Sequence, residues 1–246
     1  LEKRMSQFSN ANVWLSDLSD MDVEGIVGQI EKTGIFCAQD FLSQEDLDRM
    51  KTFVSTSLTR AGKESVSLGS SQLAGSGLEE LAEMPKFKAL FSRLYTAALK
   101  RPAPDVTFYQ ILRCLTGKTV ANHSLMFHYD SYVITALLPV EIPAVGKRGD
   151  FLLIPNTRTI RWSYLRNLAD KAVIDNRLMQ GYLRKRASSP SMQRVSMVPG
   201  NLYLFWGYRT IHTNEPVDEG AVRATALFHY ADPHAGSFVK RSLRRA

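Results

Sequence analysis

The sequence predicts a mainly β domain with flanking α-helices, and three observations carry that expectation. After Pro104 the chain breaks into short runs rich in Val, Ile, Phe, Tyr, Leu and Thr, separated by Gly, Pro and Asn, the pattern of a β-sandwich or barrel. Before Pro104 it carries the punctuation of helices around a single short strand. The composition, 44% hydrophobic and 22% charged, supports a sizeable core and excludes a disordered, collagen-like or coiled-coil chain. With 246 residues, one domain spanning 1–246 is expected, because β-rich domains often reach about 250 residues.

Residues 1–104 read as a helical N-terminal support. Ser19 or Asp20 caps a helix running to about Lys32, and Gly34 stops it. Ile35 to Leu42 is an extended apolar segment; Ser43 followed by Asp46 then resembles an acidic capping box and launches a helix through Leu47, Met50, Phe53 and Val54. Gly62 to Gly77 is rich in Ser and Gly without periodicity and reads as a long loop. Pro85 opens another helix, with Phe87, Leu90, Phe91, Leu94 and Ala98 on one face. Within the core, 105–231, strands are expected near 106–114, 118–128, 132–140, 149–155, 194–198, 201–207 and 222–231. Leu165, Leu168, Ala172, Val173, Leu178 and Leu183 mark one or two amphipathic helices inserted between strands, over Arg161 to Ser189.

The chain carries a net charge of +7, and the excess is concentrated. Between residues 156 and 197 nine basic residues meet only Asp170 and Asp175, so this insert alone carries an excess of seven. Lys240, Arg241, Arg244 and Arg245 make a second basic group in the tail, 232–246. Such patches raise the local concentration of anions, whether metabolites, nucleic acid or lipid, although a charge run is also what a solvated helix face looks like. The longest apolar run, Tyr132 to Val140, is stopped by Glu141, short of the ~18 residues of a membrane span. The first residues lack the apolar stretch of a secretory signal, and Cys37 and Cys114 suit reduced thiols, so a cytoplasmic location is expected.

The chemistry centres on His128-Tyr129-Asp130. In extended chain the imidazole and the carboxylate share a face, about 6.6 Å apart along the backbone, close enough to reach one ion. A third ligand is available in His212, which follows the strand introduced by Pro199-Gly200-Asn201. Two His and one carboxylate on one face form the facial triad of non-haem Fe(II) sites. A His-x-Asp tripeptide is weak evidence by itself. Arg223 strengthens it, eleven residues after His212 in the otherwise apolar run Ala221 to Phe228. A guanidinium in a core strand is costly unless paired, and it recognises carboxylates bidentately. An ion pair with Glu215, Asp218 or Glu219 is the competing explanation. His123 and His229 read as core or supporting histidines, His234 as a surface residue, and Trp162, Trp206 and Tyr208 as core or pocket-flanking aromatics.

With this order of motifs, the chain resembles the Fe(II)/2-oxoglutarate-dependent dioxygenase superfamily over about residues 106 to 231. Gly34-Ile35-Phe36 and Phe41 to Leu47 are similar to the N-terminal strand and helix of its phytanoyl-CoA-hydroxylase-like and prolyl-hydroxylase-like branches. The resemblance implies a double-stranded β-helix, or jelly roll, with N-terminal helices and a helical insert. It makes His128, Asp130 and His212 the catalytic iron ligands and Arg223 the partner of the distal carboxylate of 2-oxoglutarate, with Thr225 adding a hydroxyl. Tyr109, Gln110 and Thr135 lie on strands where such enzymes place side chains against the co-substrate. The implied cofactors are Fe(II), 2-oxoglutarate and O2, with ascorbate in support. Family members that halogenate have a small residue at the position of Asp130, so its carboxylate favours hydroxylation, desaturation or demethylation.

The charge then suggests a small or medium anionic substrate, free or tethered to a carrier, with the basic insert in the lid or entrance. Oxidative demethylation of nucleic acid is a second reading, suggested by the Arg184-Lys185-Arg186 run and opposed by the lack of aromatic residues interleaved with basic ones. A non-catalytic jelly-roll module binding a sugar or protein is a third.

Overall fold

The computed structural model describes residues 7–117 and 124–243. Its N-terminal part is built from local signals. α1 (Ser9–Ser16) comes first and was not expected, since it has no side-chain cap and no charged end. α2 (Asp20–Thr33) starts at Ser19, whose hydroxyl accepts from the Asp22 N–H while the Asp22 carboxylate accepts from the Ser19 N–H, and it ends at Gly34 with φ +85°. β1 (Phe36–Ala38) follows, and α3 (Gln44–Arg60) is capped by Ser43. Asp46 in its first turn also accepts from the Phe8 N–H at 3.0 Å and so ties α1 to α3. β2 (Val66–Gly69), α4 (Leu78–Glu83) and α5 (Pro85–Leu99) complete this half.

The remaining strands are β3 (Tyr109–Leu115), β4 (Ile134–Glu141), β5 (Phe151–Ile154), β6 (Gln193–Val195), β7 (Leu202–Phe205), β8 (Ile211–Asn214) and β9 (Arg223–Tyr230). They form two antiparallel sheets, one of six strands in the order β1-β7-β4-β9-β3-β2 and one of three in the order β6-β5-β8. Both edges of the larger sheet therefore come from the N-terminal half. Strand alternation divides that sheet's faces. Leu112, Cys114, Ile134, Ala136, Leu138, Leu202, Leu204, Ala226 and Phe228 join the helices in the main core, where Phe41, Phe87, Phe91, Phe108 and Phe228 pack ring to ring. The opposite face meets the small sheet through Leu137, Phe151, Leu153, Tyr203 and Phe205. Between β5 and β6 lie α6 (Tyr164–Asp175) and α7 (Arg177–Arg186), and α8 (Phe238–Leu243) follows β9.

Four expectations are corrected. The Gly62–Gly77 segment is not all loop: β2 lies in it, paired with β3 through Val66↔Cys114, and a four-residue edge strand is too short to show periodicity. The strand expected over 118–128 is reduced, among the described residues, to an isolated bridge at His128. The chain leaves the large sheet at Phe205, turns with the Thr210 N–H on the Trp206 carbonyl, and enters the small sheet as β8, so His212 lies within a strand rather than after one. All four β8 residues are buried, three of them polar, so no alternation marks them. His234 is not a surface residue: it is 3% exposed and meets the Tyr208 hydroxyl at 3.0 Å.

Trp206 and Tyr208 are core residues, and Trp162 is half exposed under the Arg101 guanidinium. In the tail, Lys240 is buried against Asp232. Cys37 and Cys114 are free thiols. His123, Arg244 and Arg245 lie outside the described residues. Among those described, no helix is long and apolar enough to cross a membrane.

Candidate functional site

The site lies between the sheets, where His128 bridges β8. His128 and His212 exchange backbone hydrogen bonds at 3.1 Å in both directions, which brings their rings to 4.4 Å between centroids. Each ring is oriented from behind by its own chain: His128 Nδ1 is 2.9 Å from the Met126 carbonyl and His212 Nδ1 is 3.0 Å from the Thr210 carbonyl. A carbonyl only accepts, so both Nδ1 atoms carry a proton, and Nε2 is the atom through which either ring, when neutral, offers a lone pair to a ligand. Those Nε2 atoms lie 3.7 and 3.6 Å from Asp130 Oδ1. The three ligand atoms all lie within 4.8 Å of one another, in reach of one metal ion.

Asp130 is fixed as firmly. Its N–H donates to the Gly207 carbonyl at 3.0 Å, and its Oδ2 accepts from the Thr135 hydroxyl. Thr135 Oγ1 in turn lies 3.0 Å from His229 Nδ1, so the imidazole supports the hydroxyl that supports the carboxylate. A side chain on Gly207 would collide with this arrangement, its Cβ falling 2.2 Å from Thr135 Oγ1 and 2.3 Å from Asp130 Oδ2. Burial by itself would raise the Asp130 pKa, but His212, His229 and His128 outweigh it and hold the carboxyl well below the usual range. Desolvation by the protein packed around its half-exposed ring, reinforced by His212, pushes His128 down to about 4. The centre therefore rests as one carboxylate beside a neutral His128, which suits a divalent cation.

Behind the triad is a small cavity of about 50 Å³ lined by Arg113, Arg223, Thr225, Leu227, His128 and His212 among others. That is room for a carboxylate, about two waters' worth. Arg223 is 4% exposed and makes no ion pair with a described residue. Of the acids that could have neutralised it, Glu215 pairs with Arg194 at 2.7 Å, Asp218 accepts from the Lys147 N–H, and Asp150, which attracts Arg223 without forming an ion pair, accepts from the Ser196 hydroxyl at 3.1 Å. Its Nε donates to the Gly149 carbonyl at 2.9 Å, which leaves the Nη atoms for another partner. Gly149 has φ +71°, and its Cβ would sit 2.6 Å from Arg223 Cδ, so this approach needs glycine. Burial, with repulsion from Arg113, pushes Arg223 down to about 10. Thr225 Oγ1 is buried with no hydrogen-bond partner, an omission that costs about 1–3 kcal/mol unless a ligand fills it. A hydroxyl, the buried guanidinium of Arg223 and the half-buried one of Arg113 around one cavity fit an anionic group.

No protein-family model matches the chain, and no curated protein matches its sequence. Solved structures do match it. A prolyl 4-hydroxylase from Phytophthora capsici superposes with a TM-score of 0.59 over 97% of this chain and 70% of its own, at 12% identity. A prolyl hydroxylase from Trichoplax adhaerens, solved with a hypoxia inducible factor peptide fragment, gives 0.57 over 91% and 96%, at 15% identity. An oxidoreductase of the 2OG-Fe(II) oxygenase family from Burkholderia pseudomallei gives 0.52 over 88% and 91%, at 10% identity. The fold is the double-stranded β-helix of the 2OG-Fe(II) oxygenases.

Within this oxygenase fold the other expected residues take different places. Thr225 faces the cavity with Arg223, two positions along β9. Thr135 is not in the cavity wall; it bonds to Asp130. Gln110 points to the opposite face of the sheet, towards the helices, because it alternates with Tyr109 and Ile111 on β3. Tyr109 is 49% exposed and stacks at 5.6 Å on Tyr132 and at 5.9 Å on His229, at the rim rather than in the cavity. The residue on β3 that does line the cavity is Arg113, directly across from Thr225. It carried the same sequence signal as Arg223, a cation between apolar strand residues, and was overlooked. Gly149 and Gly207 had no signal at all, since their roles exist only against Arg223 and Asp130.

Proposed function

We propose that this chain, over residues 1–246, is a single-domain non-haem Fe(II)- and 2-oxoglutarate-dependent dioxygenase. It hydroxylates a small or medium anionic substrate and releases succinate and CO2. The observation that carries the reading is the adjacency of two sites: three ligand atoms within 4.8 Å of one another, and beside them a cavity with an unpaired buried arginine and an orphaned threonine hydroxyl.

Iron and 2-oxoglutarate, when bound, would supply the oxidising power for a reaction with O2. The chain's own residues do the rest. His128, Asp130 and His212 would hold the metal, each through one ligand atom. Arg223, with Arg113 and the Thr225 hydroxyl beside it, receives the distal carboxylate and so fixes the co-substrate's direction. Thr135 and His229 keep the Asp130 carboxylate turned to the metal. Leu137, Phe151 and Leu227 in the cavity wall exclude water.

The anionic substrate is supported by the basic insert, which walls the open side of the site. Three of that insert's nine cations serve the fold. Arg158, between the Tyr129 and Tyr208 rings, and Arg161 both bond to Asp170, while Arg194 pairs with Glu215. These three pairs leave the rest of the insert's cations without a carboxylate, so what argues against a nucleic-acid-binding face is the lack of aromatic residues interleaved with the basic ones.

Anaerobic titration with Fe(II) and then 2-oxoglutarate tests the proposal, followed by the weak visible charge-transfer band of the chelate. The band appears in the wild-type chain, is lost in His128→Ala and weakens in Arg223→Met. A folded wild-type chain without the band overturns the oxygenase reading and leaves a jelly-roll binding module.

A further inference from the structure

We propose that the groove beside His128 is the substrate's anion site: it takes a molecule joining a carboxylate or phosphate to an apolar segment, with the anion on Arg177 and Arg184 and the apolar part on Met126. This deepens the oxygenase reading and rests on it. The groove has a volume of about 760 Å³ and runs between the segment Met126–His128 and the insert, with Asp175 at its rim. Arg177, Gln180 and Arg184 stand at i, i+3 and i+7 on α7, so one helix face looks into it.

That face is held in place by its middle residue. Gln180 Oε1 accepts from the Phe127 N–H at 3.1 Å, and its Nε2 donates to the Phe127 carbonyl at 2.7 Å and to the Ile174 carbonyl at 2.8 Å. Arg184 Nε donates to the Leu125 carbonyl at 3.0 Å, which fixes its stem and leaves the Nη end for a ligand. Arg177 has no hydrogen bond or ion pair with a described residue. Both guanidinium groups are therefore uncompensated beside a groove, unlike Arg158, Arg161 and Arg194, which bond to carboxylates. Asp175, two residues before Arg177, subtracts one charge and biases an anion towards the Arg184 end. The other wall is Met126, 53% exposed, followed by the ligand His128, whose side chain is 43% exposed. A molecule anchored by its anion on α7 thus lays its apolar part along Met126 and against the metal centre. Anchoring by a remote group is how binding energy is turned into positioning of a C–H bond.

Octanoate, with one carboxylate and an alkyl chain, is the probe. Its binding is measured calorimetrically on the full chain with Mn(II) and saturating 2-oxoglutarate, which occupies the Arg223 cavity; 2-oxoglutarate binding is measured alongside. Octanoate binds saturably and octanol does not; added salt weakens octanoate. Arg177→Gln, whose side chain supports nothing in the fold, weakens it several-fold, and Arg177→Gln/Arg184→Gln weakens it about tenfold or more. Lys185→Gln, one residue outside the groove face, leaves it unchanged, and none of the variants alters 2-oxoglutarate affinity. Octanoate that fails to bind, or binds Arg177→Gln as well as wild type, overturns the groove assignment and leaves the oxygenase reading standing. Failure of 2-oxoglutarate itself to bind overturns the oxygenase reading, and the substrate role of the groove with it.

Discussion

The two faces of β9 are made by one run of eight residues and do opposite work. Ala224, Ala226, Phe228 and Tyr230 pack on the helices in a dry apolar core. Arg223, Thr225 and His229 turn to the other sheet, just as buried, and include a charge without an ion pair and a hydroxyl without a partner. The first face gains free energy from every buried group, whereas the second gives some of it up. What the difference teaches is that the helical support stabilises a strand whose inner side leaves buried polar groups without protein partners. Gly149 and Gly207 show the same division, since the first leaves space for the Arg223 side chain to bond to its carbonyl and the second leaves space for the bond between Thr135 and Asp130.

Substitutions on the two faces should separate stability from binding. The largest effect is expected on the core side, where Phe228→Ala removes a ring packed against Phe87 and Phe108 and lowers stability by ~3–5 kcal/mol in denaturant unfolding. On the inner face, Arg223→Met should weaken 2-oxoglutarate about 100-fold in calorimetric titration while leaving the midpoint of the ligand-free chain unchanged or higher, because a buried unpaired charge is gone. A fall in that midpoint would break the comparison. Gly207→Ala drives a methyl into Asp130 and Thr135 and should lower metal affinity by about 10–100-fold, read by competition with a chelating dye. Thr225→Val is milder, about tenfold in 2-oxoglutarate affinity with a small gain in stability. The smallest effect sharpens the core side: burial and Glu141 push the Cys114 thiol up to about 12, so it stays protonated at a pH near 8.5. Burial pushes the Cys37 thiol up as well, but Cys37 is half-buried and Cys114 fully buried, so alkylation of the native chain should stop at Cys37 and Cys114 should react only at the rate of unfolding.

The elements that the sequence made legible were those with local causes. Ser19, Gly34, Ser43 and Pro85 mark helix ends through bonds and torsions within a few residues, and all four stand where expected. β4 and β9 were visible because they are long and apolar. β2 and β8 were not, because an edge strand and a strand of buried polar residues are recognisable only by their partners.

For the site, the candidate residues and their order, His128, Asp130, His212 and then Arg223, were legible in the sequence by itself, since a carboxylate two residues from a histidine and a cation in an apolar strand are visible without coordinates. Only the tertiary structure decided that Thr135 serves Asp130, that Gln110 faces the helices while Arg113 faces Thr225, and that α7 turns Arg177 and Arg184 into a groove. The physical reason is that a side chain's chemistry is its own, whereas its partner is set by strand register and by packing between segments far apart in the chain.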